Sequence, residues 1–385
     1  MSTTKKHVCV AIGTRPEAVK MAPVIHALRH RDDLNVTLLT TGQHREQLDA
    51  MLQVFNLVPD VDLGLMQPGQ GLAELFGRMV PAVAHQLREL RPDYLLVHGD
   101  TLTTFAVTLA AFFEDIPVAH VEAGLRTYNL REPFPEEASR RMCDAITDLD
   151  LPPTGWAKQN LLREGKPEST MVVTGNTVVD AVQQVLGRAK EASAKTLAHL
   201  PTTARITLTM HRRENLPVMR ELAEAVATLS REFPAFHVVY PVHLNPVVQN
   251  AVRPVLESVP NVYLEQPYDY ISMLGLMSSS ELIITDSGGI QEEGTALGVP
   301  VVVLRNVTER PEGIEVGALK LAGNDPEKLL ELVRPLLQKA IVRPTVNPYG
   351  DGQAGERVAQ AVAWRLGLAD KPADWLFEPV AATNG

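Results

Sequence analysis

Leu282-Ile283-Ile284-Thr285-Asp286-Ser287-Gly288-Gly289-Ile290 passes from a short β-rich apolar run through a polar, glycine-containing turn into a helical pattern that continues to Leu297. Two adjacent glycines let the backbone approach a ligand closely, and the unpaired N–H groups at a helix start favour an anion. A tight strand-to-helix turn with Ser287 as N-cap accounts for the same residues without a ligand. The fold follows from the recurrence of this unit. Strand-like runs at 7–12, 35–41, 94–98, 117–122 and 171–174 form one series, and runs at 205–210, 236–241, 261–264, 282–285 and 300–304 form a second, with helical patterns between them. This alternation predicts an α/β protein with two Rossmann-like, doubly wound parallel sheets. The polar, Ala- and Lys-rich stretch 187–203 separates the series, so the domains are placed at 1–176 and 177–365. A helix is expected at about 356–366, and 366–385 is expected to pack back onto the first domain as a C-terminal helix.

Bulk properties narrow the function. A chain of 385 residues exceeds what one hydrophobic core usually serves. With 45% hydrophobic and 21% charged residues it reads as an ordinary globular protein, and no apolar run reaches the roughly 18 residues a membrane span requires. The opening Met1-Ser2-Thr3-Thr4-Lys5-Lys6 leads into a run interrupted at Gly13, too short for a signal peptide. Cys9 and Cys143 lie in apolar or helical patterns, which fits buried thiols in a reducing compartment, so a cytoplasmic protein is expected. The net charge of -10 argues against nucleic acid or an anionic membrane as partner. An anionic ligand would therefore need a local concentration of basic groups.

In open parallel sheets, ligands bind outside the carboxyl ends of the strands. The residues that follow the runs are unusually polar: Gly13-Thr14-Arg15-Pro16-Glu17, Gln43-His44-Arg45, Gly99-Asp100, Glu122-Ala123-Gly124-Leu125-Arg126, His211-Arg212-Arg213-Glu214-Asn215, His243-Leu244-Asn245 and Asp286-Ser287-Gly288-Gly289. Arg15 with Lys20 one turn later suits a diphosphate, although surface cations beside a helix-starting proline explain them equally well. His211 with its arginines supplies a second basic wall. Asp100, Glu122, Glu136 and Glu137 are the candidate acids, the last two also favoured simply as first-turn carboxylates, and Arg140 lies four residues after Glu136. Gly350-Asp351-Gly352-Gln353-Ala354-Gly355 satisfies GxGxxG but follows Asn347-Pro348-Tyr349 instead of an apolar strand, so no dinucleotide cofactor is expected. Asp148-Leu149-Asp150, read at a helix end before Pro152-Pro153, lacks further oxygen ligands, so no metal is expected.

The set as a whole resembles a known family. Gly13 to Glu17, Thr41-Gly42-Gln43-His44-Arg45, His120-Val121-Glu122-Ala123-Gly124-Leu125-Arg126-Thr127, Thr174-Gly175-Asn176-Thr177, His211 to Asn215, Pro241-Val242-His243-Leu244-Asn245-Pro246, 285–293 and Thr308-Glu309-Arg310-Pro311-Glu312 together resemble the non-hydrolysing UDP-N-acetylglucosamine 2-epimerases over about residues 7–360. The resemblance implies a glycosyltransferase-B arrangement of the two domains about a cleft, a homodimer, and interconversion of UDP-GlcNAc and UDP-ManNAc for cell-surface polysaccharide without a cofactor. It implies that Arg15, Lys20, His211, Ser287, Gly288, Gly289, Glu293 and Arg310 hold UDP, with Glu293 on the ribose, and that Tyr268 and Met273 stand near the base where Gln and Phe are usual. Asp100, Glu122, Glu136, Arg140 and His211 match catalytic or near-catalytic positions. Gln43, Glu46, Arg212 and His243 match a second, activating nucleotide-sugar site, where Gly69 replaces an Arg of some members. Ser139 and Leu151-Pro152-Pro153-Thr154 also depart from the usual pattern. A hydrolysing epimerase, a glycosyltransferase of the same architecture and a non-catalytic nucleotide-sugar sensor are the competing readings.

Overall fold

The computed structural model describes residues 5–42, 45–67 and 69–377. Contacts divide them into two compact units, 5–181 with 349–377, and 182–348, the division falling within the helix Thr177–Thr196. The first unit holds β1 (Lys6–Ile12), β2 (Leu34–Thr40), β3 (Val61–Asp62), β4 (Tyr94–His98), β5 (Val118–Val121) and β6 (Leu149–Leu151). They form one sheet in the order β3-β2-β1-β4-β5-β6. The second unit holds β7 (Arg205–Thr209), β8 (His237–Pro241), β9 (Val262–Glu265), β10 (Ser280–Thr285), β11 (Val301–Val303) and β12 (Leu319–Leu321), in the order β12-β11-β10-β7-β8-β9. Read from its other edge, the second order is that of the first. Every strand pairing is parallel. Both units are therefore Rossmann-like and doubly wound, with the strand order reversing between β1 and β4 and between β7 and β10.

The strands read as unbroken apolar runs because both faces are covered. Val8, Cys9, Val10, Ala11 and Ile12 of β1 are all buried, as are Val301, Val302 and Val303 of β11. In the second unit Ile206, Leu208, Val238, Tyr240, Leu282 and Ile284 pack with Leu222, Val226, Leu229 and Val333 of the covering helices. Both cysteines are buried and unpaired, and burial pushes the Cys9 thiol up to about 12. No helix of the described residues is long and apolar enough to cross a membrane.

Three expectations are corrected. Residues 171–174 form no strand; Met171 makes only an isolated bridge to Asp150, and the sixth strand is β6, in the stretch read as a helix end. The short edge strands β3 and β12 were not anticipated, since runs of two and three residues carry no period. The terminal helix is Ala354–Arg365, and 366–377 is not helical. That segment does return to the first unit, as irregular chain: Trp375 N donates to Val173 O at 2.8 Å and Val173 N donates to Asp374 Oδ1 at 2.8 Å.

The GxGxxG segment has a packing role. A β-carbon at Gly350 would lie 3.4 Å from both N and O of Asn176, and one at Gly355 would lie 2.9 Å from the carbonyl carbon and oxygen of Pro23. Gly355 lets the Ala354–Arg365 helix seat closely on Pro23, and Asp180 accepts from Gly355 N at 2.8 Å. Gly355→Ala should therefore cost about 1–3 kcal/mol by overpacking against backbone, a loss of several degrees in a thermal melt. Gly187→Ala, on an exposed face of Thr177–Thr196 where a β-carbon meets nothing, should leave the melt unchanged or raise it.

Candidate active site

In the first unit, β1 runs into a turn whose N–H groups are committed locally. Gly13 N and Thr14 N donate to Glu17 Oε2 at 2.9 and 2.7 Å, while Thr101 and Thr104 hydroxyls donate to its Oε1 at 2.8 and 3.1 Å. Burial pushes this carboxyl up, and the four donors oppose the shift. Glu17 thus ties the turn after β1 to the loop after β4. The cations predicted here separate: Arg15 is exposed, whereas Lys20 is buried and ion-paired with Glu122.

Glu122 immediately follows β5 at φ 66, a conformation that glutamate rarely adopts and that marks a position held by its surroundings. Besides Lys20, Asn176 Nδ2 donates to its Oε2 at 2.9 Å. His98, the last residue of β4, places Nε2 3.9 Å from the same oxygen, beyond hydrogen-bonding range. Burial holds His98 down at about 4, outweighing the attraction of Glu122, so it is neutral near pH 7. Asp100, two residues on, pairs with Arg140. Arg140 also donates to the fully buried Glu137 at 3.2 Å, and Glu137 accepts Thr127 N and Tyr128 N at 3.1 and 3.0 Å. Glu136 opens the helix Glu136–Ile146 that carries Arg140.

In the second unit the organising group is Asp286, just after β10 and fully buried. Its Oδ2 accepts His211 N and Arg212 N, both at 2.8 Å, and Asn215 Nδ2 at 3.2 Å; its Oδ1 lies 3.4 Å from His211 Nδ1. The turns after β7 and β10 are thereby locked together at the point where the strand order reverses. Gly288 opens the helix Gly288–Ala296. The place a β-carbon would occupy there lies 3.4 Å from Arg310 Nη1 and 3.6 Å from Arg212 Nη2. Arg310 is held by buried Glu292 at 2.6 Å and Glu309 at 3.1 Å. The His211 and His243 rings stack at 5.5 Å.

The structure thus brings together Lys20 with Glu122, Asp100 with Arg140, and Gly288 with Arg310 and Arg212. Ser287 occupies the N-cap position of the helix that Gly288 opens but makes no side-chain capping bond, Gly289 follows, and Glu293 lies half-buried farther along. Tyr268 and Met273 pack on the small cluster of Leu197, Leu200, Val239 and Leu276, with Tyr268 Oη donating to Glu265 at 3.0 Å. Of the expected activating site, Arg212 and His243 adjoin Gly288 and His211, Glu46 is exposed on the helix Arg45–Val54, and Gln43 lies outside the described residues. Sequence reasoning missed His98, Asn176 and the holding roles of Glu17 and Asp286. Each sits in or beside a quoted motif, but a carboxylate that accepts loop N–H groups looks in sequence like one aimed at a ligand.

The model of the family described as UDP-N-acetylglucosamine 2-epimerase matches residues 26–363. The chain belongs to this family. It is 45% identical over 92% of its length to the UDP-N-acetylglucosamine 2-epimerase of Escherichia coli K12, covering 98% of that protein, and 43% identical over 96% of its length to that of Bacillus subtilis, again covering 98%. Among solved structures it is similar to the UDP-GlcNAc 2-epimerase of Neisseria meningitidis bound to UDP-GlcNAc, with a TM-score of 0.87, 40% identity, and coverage of 93% of this chain and 100% of that one. It is likewise similar to Staphylococcus aureus MnaA in its co-structure with UDP, with a TM-score of 0.89, 39% identity, and coverage of 96% and 100%.

His98 gives this family member a testable acid response. An unfolded histidine protonates near pH 6.5, whereas folded His98 does so only near 4. Between these values the unfolded chain binds more protons, so the His98 contribution falls as the pH drops from about 6.5 to about 4, by up to about 3 kcal/mol. Burial raises Asp150 and Asp180 to about 6, which acts in the opposite sense, so the quantity to measure is a difference. In urea unfolding, the stability of the wild type relative to His98→Gln should decline between pH 7 and pH 4.5. A constant difference would show that His98 titrates as in the unfolded chain.

Proposed function

We propose that this protein epimerises UDP-GlcNAc and UDP-ManNAc reversibly at C2 while retaining UDP. The observation that carries this reading is the buried pairing of Glu122 with Lys20, beside the Asp100–Arg140 pair, in a chain of this family. The C2–H is not adjacent to a carbonyl and resists direct removal. Loss of UDP supplies the missing acidity: the C1–O bond breaks with its electron pair on the β-phosphate oxygen, and the electron-poor C1 activates C2–H. A carboxylate accepts that proton, C1=C2 forms, and 2-acetamidoglucal and UDP remain bound. Protonation of C2 from the opposite face and rebonding of the UDP oxygen to C1 complete the inversion.

In this reading the first unit carries proton transfer on Asp100, Glu122 and Glu136, with Arg140 orienting Asp100. The second unit holds the nucleotide through His211, Ser287, Gly288, Gly289 and Arg310, with Glu293 on the ribose and Tyr268 and Met273 toward the base. Arg15 and Lys20 add positive charge from the first. Leaving-group stabilisation is as important as the acid/base groups, since charge develops on the departing diphosphate. The family resemblance also supports a homodimer, supply of ManNAc for cell-surface polysaccharide, and activation by a second UDP-GlcNAc at Gln43, Glu46, Arg212 and His243.

Incubation with UDP-GlcNAc in deuterated water should yield UDP-ManNAc deuterated at C2. Release of free ManNAc with UDP would establish hydrolysis in its place, and absence of exchange would remove both readings. Glu122→Gln and Asp100→Asn should each lower kcat by about 10²-fold or more with UDP affinity retained; near-normal turnover would overturn their assignment. Gly288→Ala fills the space beside Arg310 and Arg212, and should weaken UDP binding by about tenfold without lowering the melting temperature.

A further inference from the structure

His120, in β5, is fully buried and has a defined proton count. Its Nε2 lies 2.6 Å from the carbonyl oxygen of Gly99, which only accepts, so Nε2 carries a hydrogen. Its Nδ1 lies 2.6 Å from Asp144 Oδ1. Burial pushes the Asp144 carboxyl up, but His120 and Arg126 hold it down at about 2, so Asp144 is an acceptor and Nδ1 also donates. His120 is therefore an imidazolium bridging a carbonyl and a carboxylate. Asp150 completes a group of donors within 4.8 Å of one another. Positive charge is already supplied there by Arg126 on Asp144 and by Lys166, 2.9 Å from Asp150, so the cluster is an ion-pair network and not a cation site.

The network ends on two loops. Gly99 directly precedes Asp100, and its carbonyl is fixed by His120. Gly124 lies two residues after Glu122; its N–H donates to Asp144 Oδ2 at 3.3 Å, and its carbonyl accepts Asn160 Nδ2 at 3.0 Å. Gly99 and Gly124 have φ of 70 and 83, and Glu122 itself has 66, so neither loop lies in the backbone regions that most residues prefer. We propose that His120 and Asp144, with Asn160, are positioning residues that hold the Asp100 loop and the Glu122 loop in register for proton transfer at C2. The inference rests on the acid/base reading above, and it gives buried groups that cannot touch the sugar a defined effect on turnover.

Substitution at His120 separates this role from a merely structural one. A glutamine amide reaches the place of Nε2 and preserves the donor to Gly99, whereas an asparagine amide reaches only the place of Nδ1. His120→Gln should retain kcat for C2 exchange within about fivefold. His120→Asn should lose about tenfold to a hundredfold in kcat with KM unchanged, as expected when reacting groups are misplaced by about an ångström. UDP affinity by calorimetry reports folding. If His120→Asn does not fold, Asn160→Ala decides: it removes the donor to Gly124 and the acceptor of the Tyr128 hydroxyl but leaves every charge paired, and about a tenfold loss in kcat at constant KM is expected. Equal losses in Gln and Asn variants, a KM that rises in step with the loss, or normal turnover in Asn160→Ala would overturn the proposal. Wild-type protein without C2 exchange would sink the acid/base reading itself; wild-type exchange matched by His120→Asn would sink only the positioning role.

Discussion

All strands of both sheets run parallel, and the rest of the molecule answers to that constraint. Parallel strands deliver the segments after them to one edge of each sheet, and where the order reverses, between β1 and β4 and between β7 and β10, neighbouring loops diverge. Those loops leave the sheet with backbone N–H groups that have no ladder partner. Buried carboxylates accept them. Glu17 takes Gly13 N and Thr14 N, Glu137 takes Thr127 N and Tyr128 N, Asp286 takes His211 N and Arg212 N, and Asp144 takes Gly124 N. An isolated buried carboxylate costs several kcal/mol, but one that gathers two or more donors offsets much of that and fixes the loop geometry.

This device reconciles a net charge of -10 with the anionic ligand of the proposed reaction. Many of its acids near the strand ends face inward and hold backbone, so they do not present negative charge to the ligand. The charge balance differs between the units. In the first, Glu122 and Asp100 are each matched by a cation, Lys20 and Arg140. In the second, the basic groups are matched by acids placed behind them, as with Arg305 on Glu214 and Glu309.

How much of this was legible in sequence follows the same division. The alternation of strands and helices and the polar loops at strand ends were legible, and Gly288, Arg310, Asp100 and Arg140 all lie in those motifs. The pairing of Asp100 with Arg140 was not, because Arg140 reads in sequence against Glu136 on its own helix. β3 and β12 were illegible because two or three residues hold no period, and β6 because Asp150 at its centre, buried and matched by Lys166, looks like a helix-end acid. The role of a carboxylate was the hardest to read. Glu17 and Glu122 both follow strands closely, yet one serves the backbone and the other faces a buried lysine, a difference set by partners distant in sequence. Lys20, placed with Arg15 on spacing, turns inward for the same reason.

Arg310 shows why such supporting acids matter for a ligand that must leave and return. A long guanidinium side chain loses rotamer freedom when it captures a phosphate, and that loss subtracts from affinity. Here Glu292 and Glu309 orient the guanidinium beside Gly288 in advance, so the ordering cost is met on folding and not on binding. In the proposed reaction the same acids temper the positive charge, so that the diphosphate is not held too tightly to re-add. In the proposed reaction UDP must be stabilised as it departs yet remain a competent nucleophile toward C1, and rigid, partly neutralised cations meet both demands better than mobile, uncompensated ones.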